Sequence, residues 1–270
     1  MSQQAAQFIG GIPANYDAGL GPHLFADYAA DLARRATADQ PARVLEIAAG
    51  TGIVTRSLRD CLPCSTELVA SDLNLPMLEV ARQKFRCGER IEFKPADATA
   101  LPFGDGAFDA VVCQFGVMFF PDKDKAYSEA YRVLSPGGRH LFNVWDSFEF
   151  NPFARVVHET VAGFFTPHTP AFYTVPFGYH RIDDIKASLV KAGFEDISAH
   201  VLRINKTIPK ARAFAEGLIL GNPIIEEINQ RRTADPETIV AAVTSALQRA
   251  FGQDPGRMPL QAIVFSARRP

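Results

Sequence analysis

Cysteine is scarce in this chain of 270 residues, with four at Cys61, Cys64, Cys87 and Cys113. That is too few for a disulfide framework. Cys61-Leu62-Pro63-Cys64 has no second pair and no adjacent histidine to complete a tetrahedral site. The cysteines read as reduced thiols, and no metal is expected. An excess of either charge is also lacking: Lys and Arg number 28 against 30 Asp and Glu, a net charge of -2. That balance gives no electrostatic footprint for nucleic acid or an anionic membrane. No stretch approaches the roughly 20 apolar residues that span a bilayer. Met1 to Gln7 lacks the basic and apolar regions of a signal peptide. The expectation left standing is a cytoplasmic protein with a small-molecule partner; the oligomeric state is not legible.

Apolar residues are plentiful, at 47% against 21% charged, enough for a sizeable core. The chain is organised around Val44-Leu45-Glu46-Ile47-Ala48-Ala49-Gly50-Thr51-Gly52, a buried strand that turns through small residues into a helix from about 52 to 60. Further apolar runs follow at 68–71, 91–93, 108–113 and 140–145, with helical patterns between them. Strands alternating with helices predict a parallel sheet, with the strand ends on one edge where open α/β sheets bind ligands. Four polar residues, Glu46, Asp72, Asp97 and Gln114, stand at or just after the ends of the first four strands.

Residues 8–21 are rich in Gly, Pro and Asn, which excludes a long helix or a central strand there, and Pro22 suits the first turn of a helix that follows. Tyr16 in that segment is a candidate cap over a bound ligand. Residues 146–180 hold nine of the chain's 28 aromatics and are placed to roof the crevice. A helix is expected from Arg181 to Lys191, strands at 197–204 and 259–265, and helices at 211–220, 224–231 and 236–251. The fold class is α/β: a Rossmann-like, seven-stranded, mostly parallel sheet with helices on both faces and a mainly helical lid. One domain is expected, with a core at about 40–145, 181–207 and 258–267 and a cap at about 1–39, 146–180 and 208–257.

Two ligand types compete for the crevice. Gly50, Gly52 and Asp72, which lies 20 residues after Gly52, fit the ribose end of a dinucleotide. Thr55 stands where a third glycine would be. Glu46 and Asp97 would repel a pyrophosphate at close range and suit a ligand that carries an ammonium and a sulfonium.

Val44 to Gly52, Ser71-Asp72-Leu73, Ala96-Asp97-Ala98 through Phe103, Phe108 to Phe115 and Arg132 to Gly138 resemble the successive motifs of the class I S-adenosylmethionine-dependent methyltransferases. The likeness is to the ubiquinone/menaquinone-biosynthesis branch and covers about residues 40–145. Ala48 stands where that family usually has glycine. The resemblance implies S-adenosyl-L-methionine as cofactor and S-adenosyl-L-homocysteine as product. It places the backbone of Ala48, Gly50, Thr51 and Gly52 along the methionine part and Asp72 at the ribose hydroxyls. Leu73 and Met77 would pack on the adenine, with Asp97 and Ala98 at the adenine's polar edge. The main-chain carbonyl of Gln114 would receive the ammonium.

The expected function is in-line methyl transfer to a small apolar or aromatic acceptor. An oxygen acceptor would need a general base, for which His168 and His180 are the candidates. A cofactor-binding regulatory module and a nicotinamide-dependent oxidoreductase are the alternatives.

Overall fold

A computed structural model of the chain describes residues 6–166 and 168–270. Met1 to Ala5, within the segment read for a signal peptide, and Pro167 lie outside the described residues. Seven strands form one sheet in the order β3-β2-β1-β4-β5-β7-β6. They are β1 (Arg43–Ile47), β2 (Glu67–Asp72), β3 (Ile91–Pro95), β4 (Phe108–Gln114), β5 (Leu134–Trp145), β6 (Glu195–Ile208) and β7 (Gly256–Arg268). The first five are parallel, whereas β7 runs antiparallel to both β5 and β6. Val44, Leu45, Val111 and Val112 in the central strands are buried, as strands covered on both faces require. Chain order reverses between β1 and β4, so a crevice opens there at the carboxyl edge.

The N-terminal segment departs from expectation. Residues 12–37 form one nearly continuous helical run: α1 (Ile12–Leu20), a π-helical turn (Gly21–Phe25) and α2 (Ala26–Thr37). Pro13 lies in the first turn of α1, where its missing N–H costs nothing. Pro22 falls inside the run instead of opening it, and its missing donor accounts for the local switch to a wider turn. Tertiary packing rescues the glycines. A Cβ on Gly19 would lie 2.6 Å from Gly217 Cα in α8 (Ala211–Leu220), so α1 and α8 touch backbone to backbone.

Helix α2 was expected in the cap. Its Ala29, Leu32, Ala33 and Ala36 instead pack with Val44, Val54 and Leu58 beneath the sheet, on α3 (Ile53–Cys61). Strand β5 also begins earlier than expected, absorbing Ser135 to Gly138 as an irregularity opposite β4. The remaining helices are α4 (Leu75–Arg82), α5 (Lys123–Val133), α6 (Pro152–Ala162), α7 (Ile182–Lys191), α9 (Ile224–Arg231) and α10 (Pro236–Phe251). Among the described residues, no helix is long and apolar enough to cross a membrane.

Candidate functional site

The turn after β1 passes through three residues in left-handed backbone: Ala48 (φ 53°), Gly50 (φ 57°) and Gly52 (φ 79°). Gly52 precedes α3, and a Cβ there would lie 2.8 Å from Ala81 Cβ, so only glycine fits against α4. Ala48 holds the same kind of conformation with a methyl group, at a cost of about 1–2 kcal/mol. Ala48→Gly should therefore be mildly stabilising, since the relieved strain exceeds the added freedom of the unfolded chain, about 0.4–1 kcal/mol. A rise in melting temperature of roughly 2 °C is the expected reading; a fall would mean that the methyl packs more favourably than its backbone suffers.

Glu46 is buried, and its Oε2 accepts a hydrogen bond from Thr55 Oγ1 at 2.6 Å. Burial pushes its carboxyl up to about 8; the Thr55 bond opposes that rise and the charge of Asp72 adds to it. Asp72, also buried, accepts the N–H of Gly50 at 2.9 Å and of Asn74 at 2.8 Å. Burial raises its pKa against the pull of these hydrogen bonds. The acid at the end of β2 thus braces the glycine turn after β1. Asp97 is exposed and its Oδ1 accepts from both the N–H and the hydroxyl of Thr99, each at 2.8 Å. The Gln114 side chain is turned to Phe25 O at 3.3 Å and to Asn143 Nδ2 at 3.4 Å.

These residues meet around a crevice of about 1030 Å³. Ala48, Gly50, Asp72, Asp97, Ala98 and Gln114 line it, with Tyr16, Leu73 and Met77 also on its wall. Leu73 is 63% exposed, an apolar side chain held out at the rim. Glu46 and Thr51 line a smaller space of about 310 Å³ that shares Tyr16, Ala48, Gly50 and Gln114 with the crevice. Gly52 lines neither space and acts through the turn. Among the described residues, no Lys or Arg side chain lines either space.

Beside the crevice lies an aromatic chamber of about 450 Å³. The two share Phe8, Tyr16, Phe115 and Phe119. Phe115 stacks on Trp145 with ring centroids 4.0 Å apart, and Tyr16 stacks on Phe25 at 4.9 Å. The 146–180 region supplies Phe153, Phe172, Tyr173 and Phe177 to the chamber wall.

His168 and His180 are not brought to either space. His168 is exposed, and the His180 ring nitrogen faces Phe177 O at 3.0 Å. Proximity in sequence to the roof was the only ground for naming them. Sequence reasoning missed Phe8, Asn74 and Asp17. Asp17 Oδ1 accepts from Thr51 Oγ1 at 2.6 Å and pairs with Lys84, tying α1 to the glycine turn. Asn74 bonds both Asp72 and the backbone of Ala6 and Phe8. Its position after the acid and before Pro76 was the one available signal.

Comparison with known proteins bears on the same segment. The family profile described as "Methyltransferase domain" matches residues 44–138. A demethylmenaquinone methyltransferase of Thermus thermophilus is 49% identical over 100 residues, which cover 37% of this chain and 45% of that protein. The chain thus spans less than half the length of this relative. The ubiquinone/menaquinone biosynthesis C-methyltransferase UbiE of Ectopseudomonas mendocina is 34% identical over 172 residues, covering 58% of this chain and 67% of that protein. The chain belongs to the class I S-adenosylmethionine-dependent methyltransferases of this ubiquinone/menaquinone-biosynthesis type.

Among solved structures, the YcgJ protein of Bacillus subtilis covers 90% of this methyltransferase and 98% of its own chain, at a TM-score of 0.58 and 21% identity. That likeness is one of fold. The profile match contains all four strand-end residues, Glu46, Asp72, Asp97 and Gln114. Tyr16 and the chamber residues from Trp145 onward fall outside it.

Proposed function

We propose that the protein transfers the methyl group of S-adenosyl-L-methionine to a small apolar or aromatic acceptor and releases S-adenosyl-L-homocysteine. The observation that carries this reading is the pairing of an acid-lined crevice, without a cationic side chain among the described residues, with an aromatic chamber across a common wall. A cationic cofactor with two ribose hydroxyls suits that donor set; a pyrophosphate would meet Asp72 and Asp97 with nothing to neutralise it. Asp72 accepts three N–H bonds, from Gly50 N on Oδ2 and from Asn74 N and Nδ2 on Oδ1, so of the about four lone-pair sites of a carboxylate one, on Oδ2, remains for a ribose hydroxyl.

In this reading Leu73 and Met77 flank the adenine, Asp97 and the Ala98 N–H take its polar edge, and the Gln114 carbonyl receives the ammonium. The backbone of Ala48, Gly50 and Thr51 follows the methionine part, Gly52 fixes the turn, and the buried Glu46 borders the adjoining space with Ala48, Gly50 and Thr51. Tyr16 caps the cofactor from α1 and divides it from the acceptor. The bound cofactor supplies an electrophilic methyl carbon. The aromatic walls exclude water and hold the acceptor on the methyl–sulfur axis, which is the main service an enzyme gives such a displacement. No Asp, Glu, His, Lys or Arg lines the chamber among the described residues, so the acceptor atom has to be nucleophilic without a protein base beside it. The core and cap divide between these tasks, with α2 reassigned to the core.

Calorimetric titration tests the reading. S-adenosylhomocysteine and S-adenosylmethionine should bind and NADH should not. Because Glu46 gains its charge only as pH rises through about 8, the preference for the sulfonium over its neutral thioether product should grow from pH 6 to 9. Glu46→Gln should flatten that growth. Binding of NADH without S-adenosylhomocysteine would overturn the proposal.

A further inference from the structure

The chamber is apolar on nearly every side, which makes its few polar groups selective. Its lining holds the hydroxyls of Tyr16 and Tyr173 and the amide of Asn222. The Tyr173 hydroxyl is committed, donating to Leu218 O at 2.7 Å. Asn222 is 6% exposed, and its Nδ2 donates to the same carbonyl at 3.1 Å. That contact fixes which way the amide faces, because a carbonyl oxygen accepts only and would repel Oδ1. Oδ1 makes no hydrogen bond among the described residues. It is not sealed off either: among those residues the one buried side-chain polar atom lacking both partner and surface is the Tyr28 hydroxyl. Asn222 is among the residues that line the chamber.

The fold holds this residue in place from two directions. Helix α8 ends at Leu220, and the Gly221-Asn222-Pro223 turn leads into α9. A Cβ on Gly221 would lie 2.8 Å from Tyr16 N, so the turn abuts α1. Asn222 and Leu218 belong to the chamber but not to the crevice, whereas Tyr16 and Phe115 belong to both.

We infer that Asn222 is a specificity-determining residue, whose Oδ1 accepts a hydrogen bond from a hydroxyl or N–H group on the acceptor's ring, away from the methylated atom. This rests on the acceptor-chamber reading above and narrows it: the substrate class is an aromatic that carries a hydrogen-bond donor. A hydrocarbon ring leaves a buried oxygen unpaired, and a site built around such an oxygen discriminates against it.

The test uses the full chain saturated with S-adenosylhomocysteine and three probes, 2-naphthol, 2-methoxynaphthalene and 2-methylnaphthalene, with affinities from calorimetry. 2-Naphthol should bind roughly three- to tenfold more tightly than 2-methylnaphthalene, the worth of one net hydrogen bond, and the methyl ether should gain nothing. Asn222→Leu should abolish the preference. Should Asn222→Leu fail to fold, the order of the three probes on the native protein decides alone. Equal binding of naphthol and hydrocarbon, or a preference that survives in Asn222→Leu, overturns the role of Asn222 and leaves the chamber reading intact. Failure of all three probes to bind the cofactor-loaded protein overturns both.

Discussion

Asp72→Ala is expected to weaken S-adenosylhomocysteine binding by about 1–3 kcal/mol, roughly 5- to 150-fold. Two losses combine in that figure. The variant removes the proposed acceptor for the ribose, and it also releases the N–H of Gly50, which the carboxylate holds at 2.9 Å. The second loss frees the turn through Ala48, Gly50 and Gly52 on which the methionine part of the ligand is proposed to lie. Calorimetry gives the affinity, and a thermal melt of the same sample separates a folded, weak binder from an unfolded chain. Unchanged affinity would remove Asp72 from the binding site.

The second large effect is on stability and comes from a group outside the crevice. His140 is 1% exposed, stacked on Phe142 with centroids 4.9 Å apart, and its Nδ1 lies 3.1 Å from Val111 O. Burial lowers its pKa to about 4, the Val111 bond resisting. The unfolded chain takes up its proton near the ordinary histidine value of about 6.5. Stability associated with His140 is therefore full above about pH 6.5 and is lost as pH falls toward 4, by about 3 kcal/mol. Glu46 works in the opposite sense. Its raised carboxyl contributes stability that is fully present below its unfolded pKa and lost as pH rises through about 8. The difference between wild type and His140→Phe isolates the histidine. Urea midpoints from pH 4 to 7 should fall more steeply toward acid in the wild type, and parallel curves would mean that His140 is charged inside the fold.

The crevice was legible because its parts are local. Each strand announces itself as a short apolar run, and the polar residue that ends it is found by reading one position further. Asp72 and Asp97 needed no tertiary knowledge beyond the assumption of a parallel sheet. The N-terminal helix was not legible, since Gly19 and Pro22 weaken a helix in isolation; Gly19 is tolerated here through contact with Gly217, almost 200 residues away, and Pro22 sits in the π-helical turn. The same long-range packing hid Asn222 and Asp17. His168 and His180 erred in the other direction: they lie near the roof in sequence and away from the crevice in space, because side-chain direction in an irregular segment has no periodicity to read.

The π-helical turn at Gly21–Phe25 sets a phase. An α-helix advances 100° per residue, and a π turn accommodates one residue more than an α turn would. Everything before it, including Tyr16 and Asp17, is rotated by about 100° relative to the stripe that a straight continuation of α2 would present. The stripe on α2 that grips the sheet and the stripe on α1 that carries Tyr16 to the crevice are thus decoupled by a single residue. One helical run packs on the sheet side at one end and carries Tyr16 to the crevice wall at the other, with Pro22 in the turn between them.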